Sequence, residues 1–224
     1  MILKLLEYFS VKFMKTKQTK TRWWWIRHAP VINPDKKLYG QLDLDVDLSD
    51  HQKFELVANS LPKNATWISS PLARAKETAS LLANLTSQDS KIKEYDQLKE
   101  QAFGDWEGKR WDEIDENISK TFWENPVKNC IPNGESFNDL VRRVSKTIEE
   151  LNNQYTGKDI IAVAHMGTIR AALTQAIGGD GHAGLLFQLK PISLTRIDAI
   201  HDNNHIWWKI SGVNLYGNRD ELAS

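Results

Sequence analysis

The 224-residue sequence contains a single cysteine, Cys130, and this scarcity limits the kinds of protein that it can encode. One cysteine cannot form an internal disulfide framework or a metal site made of cysteines alone. A chain with so little cysteine fits a reducing compartment, so we expect a cytoplasmic protein.

An excess of charge of either sign is also missing. The chain has 29 Lys plus Arg and 29 Asp plus Glu, which gives a formal net charge of zero. Because such a chain presents no broad positive field, we expect no nucleic-acid partner, and any specificity for anions has to be local. The composition leaves open whether the chain forms a homo-oligomer.

A long uninterrupted apolar run is absent as well. Residues 1–20 carry Lys4, Glu7 and Lys12 within their apolar stretch and lack a cleavage pattern of small residues. We therefore expect no integral membrane segment. An amphipathic anchor stays an alternative, but a poorly ordered extension over residues 1–20 is favoured, with one domain over residues 21–224.

What the sequence does contain is an alternation of strand and helix patterns. Short apolar runs at 23–26, 65–71 and 159–165 predict buried strands, and a further strand is expected near 91–94. Helical patterns are present over 50–59 and 167–177. Another helix is expected after Ser70 as N-cap, with Pro71 at the first helical position, and a longer one begins at Ser136 with Asp139 as its capping partner. A hairpin is expected over 192–210. This order predicts an α/β fold with a mostly parallel sheet.

Strongly polar side chains stand where the predicted strands end. Arg27 and His28 follow the first strand, His165 ends another, and Arg74 lies in the first turn of a helix. Ligands of α/β sheets bind beyond the carboxyl ends of the strands, where free backbone N–H groups of helices gather. Two arginines and two histidines at the carboxyl ends of the strands therefore predict a phosphate pocket.

Phosphoryl transfer is the chemistry that this combination suits. A guanidinium group can donate two parallel hydrogen bonds to phosphate oxygens. A neutral imidazole can attack phosphorus when its second nitrogen is held as a donor. The departing alkoxide then requires a proton from an acid.

Five motifs in order, RHAP, SSPLARAKETA, LKEQAFGDWEG, PNGES and VAHMGTIRA, resemble those of the histidine phosphatase superfamily. The resemblance implies a three-layer α/β/α fold of the phosphoglycerate mutase type, without metal or cofactor. It also implies that His28 is the nucleophile, that Arg27 and Arg74 bind the phosphoryl group, that His165 stabilises the transition state, and that Glu100 is the acid and base.

Several positions leave alternatives open. Glu107 is a rival to Glu100 as the acid. Ala29, Pro30 and Met166 stand where many family members have Gly, Glu and Gly, which changes the pocket wall and leaves the substrate undefined. Asp43 and Asp45 both fit a further family segment, and neither is assigned a role.

Two other groups of residues have features seen in binding sites. His201 and His205 have a spacing seen in metal sites, but they flank a predicted turn, so we expect no metal there. Trp106, Trp111 and Trp123 cluster around the loop that carries Glu100, and we hypothesise that some of them contact the organic part of the substrate.

The expected activity is the hydrolysis of a small phosphomonoester through a phosphohistidine, with alpha-ribazole-5'-phosphate phosphatases as the members most similar in appearance. Phosphoglycerate mutase activity is the first alternative. The second is a protein that binds phosphoesters without catalysis, which is disfavoured because His28 and Glu100 are both present.

Overall fold

A central sheet of six strands organises the chain, of which a computed structural model describes residues 19–87, 91–202 and 205–216. The strands are β1 (Thr19–Arg27), β2 (Thr66–Ser69), β3 (Lys93–Glu94), β4 (Asp159–Ala164), β5 (Leu194–Asp202) and β6 (His205–Leu215). The α-helices are α1 (His51–Ser60), α2 (Ala73–Leu85), α3 (Glu116–Glu124), α4 (Phe137–Gln154), α5 (Met166–Ile177) and α6 (Gly181–Leu185). Within these ranges, no helix combines the length and the apolar character needed to cross a membrane.

The strands are arranged in the order β3-β2-β4-β1-β5-β6. The first four run parallel to one another, and β5 and β6 are added as antiparallel neighbours at one side. The prediction of a mostly parallel sheet is therefore confirmed. The hairpin of β5 and β6 also forms at the sheet edge, although residues 203–204 at its tip lie outside the described part.

The apolar run of β1 is explained by burial on both faces of the sheet. Trp23 and Trp25 pack on one side with apolar residues of α4 and α5. Trp24 and Ile26 point to the other side, where they pack with residues of α1 and α2. Because successive strand residues alternate between faces, both sets must be apolar when helices cover both sides. The expected three-layer α/β/α architecture is confirmed.

The start of the sheet differs from the predicted domain boundary. β1 begins at Thr19, so two residues assigned to an N-terminal extension are paired with β5. The remainder of that expected extension, residues 1–18, lies outside the described residues.

The start of α2 corrects another prediction. Ser70 and Pro71 precede the helix, which begins at Ala73. The backbone N–H of Ala73 donates to Asp43 Oδ1 at 2.7 Å, so a carboxylate from a distant loop caps the helix. The Ser-Pro pattern predicted that Ser70 caps the helix, but the Ser70 hydroxyl contacts the ring of His165 instead. Arg74 still lies in the first helical turn, as predicted.

Candidate active site

The carboxyl ends of three adjacent strands bring the two histidines together. Beyond β1, the N–H of His28 donates to Ala164 O at 2.9 Å, and beyond β2 the N–H of Ser70 donates to Val163 O at 3.0 Å. These bonds extend the parallel pairing past the ends of the strands. The rings of His28 and His165 consequently lie with their centroids 5.1 Å apart.

His28 is buried and held in one ring orientation. Its Nδ1 lies 2.6 Å from Ala29 O, and because a carbonyl oxygen can only accept, Nδ1 carries the proton. Burial, Arg74 and Arg27 together lower the pKa of His28 from 6.5 to about 3. The ring is therefore neutral at ordinary pH, with an unprotonated Nε2, which is the state required of a nucleophile.

His165 is fully buried at the N-cap position of α5. Its Nε2 lies 2.7 Å from the hydroxyl of Ser70, and its Nδ1 has no hydrogen-bond partner among the described residues. Burial, His28 and Arg74 hold the pKa of His165 well below 6.5. This ring is neutral as well.

The two arginines are fastened by backbone carbonyls. Arg74, which is fully buried, donates from Nη2 to Gly40 O at 2.6 Å and from Nη1 to Leu42 O at 2.7 Å. Arg27 donates from Nη1 to Leu189 O at 2.5 Å. The positive charges of both guanidinium groups act on His28 and on His165. The four predicted side chains therefore lie near one another.

Glu100 lies against the N-terminus of α5. Its Oε1 accepts the backbone N–H groups of Gln101 and Gly167, each at 3.0 Å. A Cβ atom at position 167 would lie 2.3 Å from Oε1, so the close approach depends on glycine. Among the charges that act on Arg74, that of Glu100 is the strongest, which places the carboxylate beside the predicted phosphate pocket.

Glu107 occupies a different position. Its Oε1 accepts the backbone N–H groups of Gln41 and Phe103, each at 2.9 Å. The carboxylate therefore links two segments. One is the loop that contains Gly40, whose carbonyl oxygen accepts a hydrogen bond from Arg74, and the other is the segment that follows Glu100. Its charge acts on Arg74 more weakly than that of Glu100.

A pair of residues that no sequence motif reveals supports Glu100. Arg143 of α4 donates to the backbone oxygens of Gln97, Lys99 and Glu100 at 2.7–2.9 Å. Its guanidinium also forms a salt bridge with Glu135, with Nε and Oε1 2.7 Å apart. Glu135 belongs to the PNGES motif, but no local sequence pattern connects it with an arginine on the polar side of α4.

The remaining candidate groups do not join this site as ligands or acids. Asp43 caps α2, as described above. His201 Nε2 contacts Thr21 Oγ1 at 2.9 Å, and the ring of His205 packs on Trp207. In the described ranges, no group of three or more His, Cys, Asp or Glu residues is arranged to hold a metal ion.

An aromatic cavity adjoins the site. It has a volume of about 390 Å³ and is lined in part by the three tryptophans considered above, Trp106, Trp111 and Trp123. Met166, the residue after His165, forms part of the wall of this cavity.

The sequence is similar to those of known proteins. The sequence model of the histidine phosphatase superfamily (branch 1) matches residues 23–210. The metal-independent phosphoserine phosphatase of Arabidopsis thaliana is 30% identical over 162 residues, which cover 67% of this chain and 68% of the relative. The uncharacterized phosphatase PhoE of Bacillus subtilis is 28% identical over 159 residues, covering 69% and 77%.

Solved structures show the same fold. The crystal structure of the alpha-ribazole phosphatase from Shigella flexneri superposes with a TM-score of 0.74 at 24% sequence identity, covering 88% of this chain and 98% of that one. The family match spans most of the chain and includes both histidines, both arginines and Glu100. The chain belongs to the histidine phosphatase superfamily, branch 1.

Proposed function

We propose that the chain is a metal-independent phosphomonoesterase that hydrolyses a small phosphorylated molecule through a phosphohistidine on His28. One observation carries the proposal. Arg27 Nε, Arg74 Nε and His165 Nδ1 are buried nitrogens without a hydrogen-bond partner in the described part of the chain. Unsatisfied buried donors cost free energy, and a phosphoryl group bound against His28 would supply oxygen acceptors for them.

In the first step, the lone pair of His28 Nε2 attacks phosphorus while the ester P–O bond breaks. Arg27, Arg74 and His165 donate to the phosphoryl oxygens, whose charge they stabilise without a metal ion. Glu100, in its protonated form, gives its proton to the departing oxygen, which leaves as the alcohol. The products of this step are phosphohistidine, the free alcohol and a Glu100 carboxylate.

In the second step, a water molecule takes the place of the alcohol. The Glu100 carboxylate accepts a proton from the water, whose oxygen attacks phosphorus as the N–P bond breaks. Inorganic phosphate leaves, His28 becomes neutral again, and Glu100 regains its proton. Glu100 is favoured over Glu107 because its carboxylate accepts the N–H of Gly167, two residues after His165, whereas the Glu107 carboxylate links two loops.

We further propose that the enzyme acts in the cytoplasm on free small molecules rather than on nucleic acid. The single cysteine and the formal net charge of zero support this setting. A relative named as a metal-independent phosphoserine phosphatase supports a small-molecule substrate here.

The test is phosphate release from a panel of phosphomonoesters in the presence of a chelator. The wild type, His28→Ala and the control His51→Ala, at an exposed histidine, are compared. We expect release by the wild type and the control but not by His28→Ala. A radiolabelled ester should also leave an acid-labile phosphoryl group on the wild type and on the control, but not on His28→Ala. Release by His28→Ala, or dependence on added metal ions, would contradict the proposal, and interconversion of phosphoglycerates without release would indicate a mutase.

A further inference from the structure

The aromatic cavity beside the site is built from a cluster of its own. Trp106 lies with its ring centroid 5.9 Å from that of Trp111 and 5.2 Å from that of Phe122. Trp123 contacts both Trp111 and Phe122, at 5.9 Å and 5.1 Å. All four rings line the cavity. The cluster is separate from the two apolar cores that cover the faces of the sheet.

Two of these rings are poorly covered by the protein itself. Trp111 is 50% exposed and Trp123 is 56% exposed, although both contact the buried part of the cluster. Adjacent large aromatic surfaces left open to solvent are typical of binding sites. The cavity volume of about 390 Å³ lies within the range of small-molecule pockets.

The cavity meets the catalytic groups at Glu100. The carboxylate accepts the N–H of Gln101, which lines the cavity, and the N–H of Gly167, which follows the wall residue Met166. The general acid must contact the ester oxygen that leaves. The carbon attached to that oxygen therefore lies on the side of the site that borders the aromatic cavity.

The charge in the cavity is sparse. Among the described residues that line it, only Arg170 is charged, and its Nε donates to Phe187 O at 2.7 Å. The negative charge of Glu100 acts on the same guanidinium. A compact alcohol that carries a carboxylate, such as serine, would leave the aromatic walls uncovered and would find only this one cation.

We infer that the aromatic cavity binds the alcohol part of the substrate, and that the preferred substrates are monophosphates of alcohols that carry a flat, uncharged ring system. This inference rests on the proposed function and names its substrate class. The flat face of such a ring covers the exposed faces of Trp111 and Trp123, while the phosphoryl group reaches His28.

The experiment compares esters of primary alcohols, so that the leaving oxygens are chemically similar. The three substrates are 2-(1-naphthyl)ethyl phosphate, butyl phosphate and O-phosphoserine. We expect kcat/KM for the naphthylethyl ester to exceed that of the other two by about tenfold or more, mainly through a lower KM. In Trp111→Ala and Trp123→Ala, the ratio of kcat/KM between the naphthylethyl and butyl esters should fall about tenfold.

The matched control is Trp207→Ala, at a half-exposed tryptophan on β6 that is not part of the cavity, and it should keep the wild-type ratio. Circular dichroism confirms that each variant is folded. A preference for O-phosphoserine, or an unchanged ratio in both cavity variants, would overturn the inference.

Failure of the proposed function can be recognised separately. If the wild type hydrolyses none of the three esters, calorimetric titration with the phosphonate analogue of the naphthylethyl ester tests the cavity alone. Binding that is weakened by Trp111→Ala but not by Trp207→Ala would support the cavity assignment while the phosphatase function fails. Absence of binding would overturn the assignment.

Discussion

The hydroxyl of Ser70 holds the imidazole of His165 through a 2.7 Å contact between Oγ and Nε2. The same Oγ accepts the backbone N–H of Leu72 at 3.3 Å, so the hydroxyl is oriented by the turn that precedes α2. A serine that donates to Nε2 leaves the proton of the neutral ring on Nδ1. That atom is the one without a partner, and a proton there can be donated to a phosphoryl oxygen.

Ser70→Ala should therefore lower kcat by about tenfold, the equivalent of one hydrogen bond, because the neutral ring of His165 loses the donor that selects its tautomer. The readout specific to this role is the ¹⁵N spectrum of His165, which should show a protonated Nδ1 in the wild type and a mixture of tautomers in the variant. Ser70→Thr keeps a hydroxyl and should restore both. A protonated Nε2 in the wild type would contradict this reading.

Glu100→Gln should affect esters according to their leaving groups. For an alkyl phosphate we expect kcat to fall by roughly 10²–10⁴-fold, because the alkoxide departs without a proton. For 4-nitrophenyl phosphate, whose leaving group is stable as an anion, the loss in the first step should be small. Burst kinetics with both esters separate the two steps. Equal losses for both esters would argue against Glu100 as the acid.

Glu107 allows a contrasting prediction. Glu107→Ala removes the acceptor of two backbone N–H groups and should lower the free energy of unfolding by about 1–3 kcal/mol, as measured by urea denaturation. Glu107→Gln retains an acceptor oxygen and should recover most of that stability. A selective loss of activity on alkyl phosphates in Glu107→Gln would instead identify Glu107 as the acid.

The stability of the fold should decrease in acid because both histidines are buried in the neutral form. A histidine whose folded pKa lies below its unfolded value takes up a proton on unfolding, so its contribution is complete above about pH 6.5 and is lost as the pH falls toward the folded pKa. For His28 this window runs from 6.5 down to about 3. Each such histidine contributes a slope of up to about 1.4 kcal/mol per pH unit.

His28→Asn should reduce that slope by the share of one histidine. Urea denaturation at several pH values between 7 and 4 measures it, with His51→Asn as the control at an exposed position. An unchanged slope in His28→Asn would show that His28 is not held in the neutral state.

Gly167→Ala should impair activity through Glu100. The added Cβ would lie 2.3 Å from Oε1, so the carboxylate has to move, while alanine within the first turn of α5 does not disfavour the helix. We expect a loss of kcat of about tenfold or more on alkyl phosphates with little change in melting temperature. In a Glu100→Gln background the substitution should add little, and full additivity would refute the coupling.

The patterns that predicted the fold correctly are local ones. The continuous apolar run of β1 had to be buried on both faces, and the Ser136–Asp139 capping box does begin α4. The positions of Arg27, His28 and His165 follow from the same burial pattern. Residues at the carboxyl end of a buried strand lie beside the carboxyl ends of its parallel neighbours. Side chains at such ends converge whatever the details of the loops.

The contacts made by the long segment between β3 and α4 could not be predicted from local patterns. Glu100 and Glu107 are only seven positions apart, and no pattern along the chain distinguishes a carboxylate that faces α5 from one that joins two loops. Their difference arises from contacts with Gly167 and Gln41, which are far away in sequence. The same holds for Ser70, whose local pattern indicated a helix cap but whose partner, His165, is 95 positions away.

The sequence by itself determined the layered fold, the end of the sheet at which the site forms, and the two histidines and two arginines that meet there. Periodic burial and the ends of strands are properties of neighbouring residues, so the sequence encodes them directly. Only the tertiary structure decided how Ser70, Arg143 and Gly167 hold those groups, and how four aromatic rings from 106–123 enclose a cavity beside Glu100. Those relationships depend on packing between distant segments, which sequence spacing does not encode.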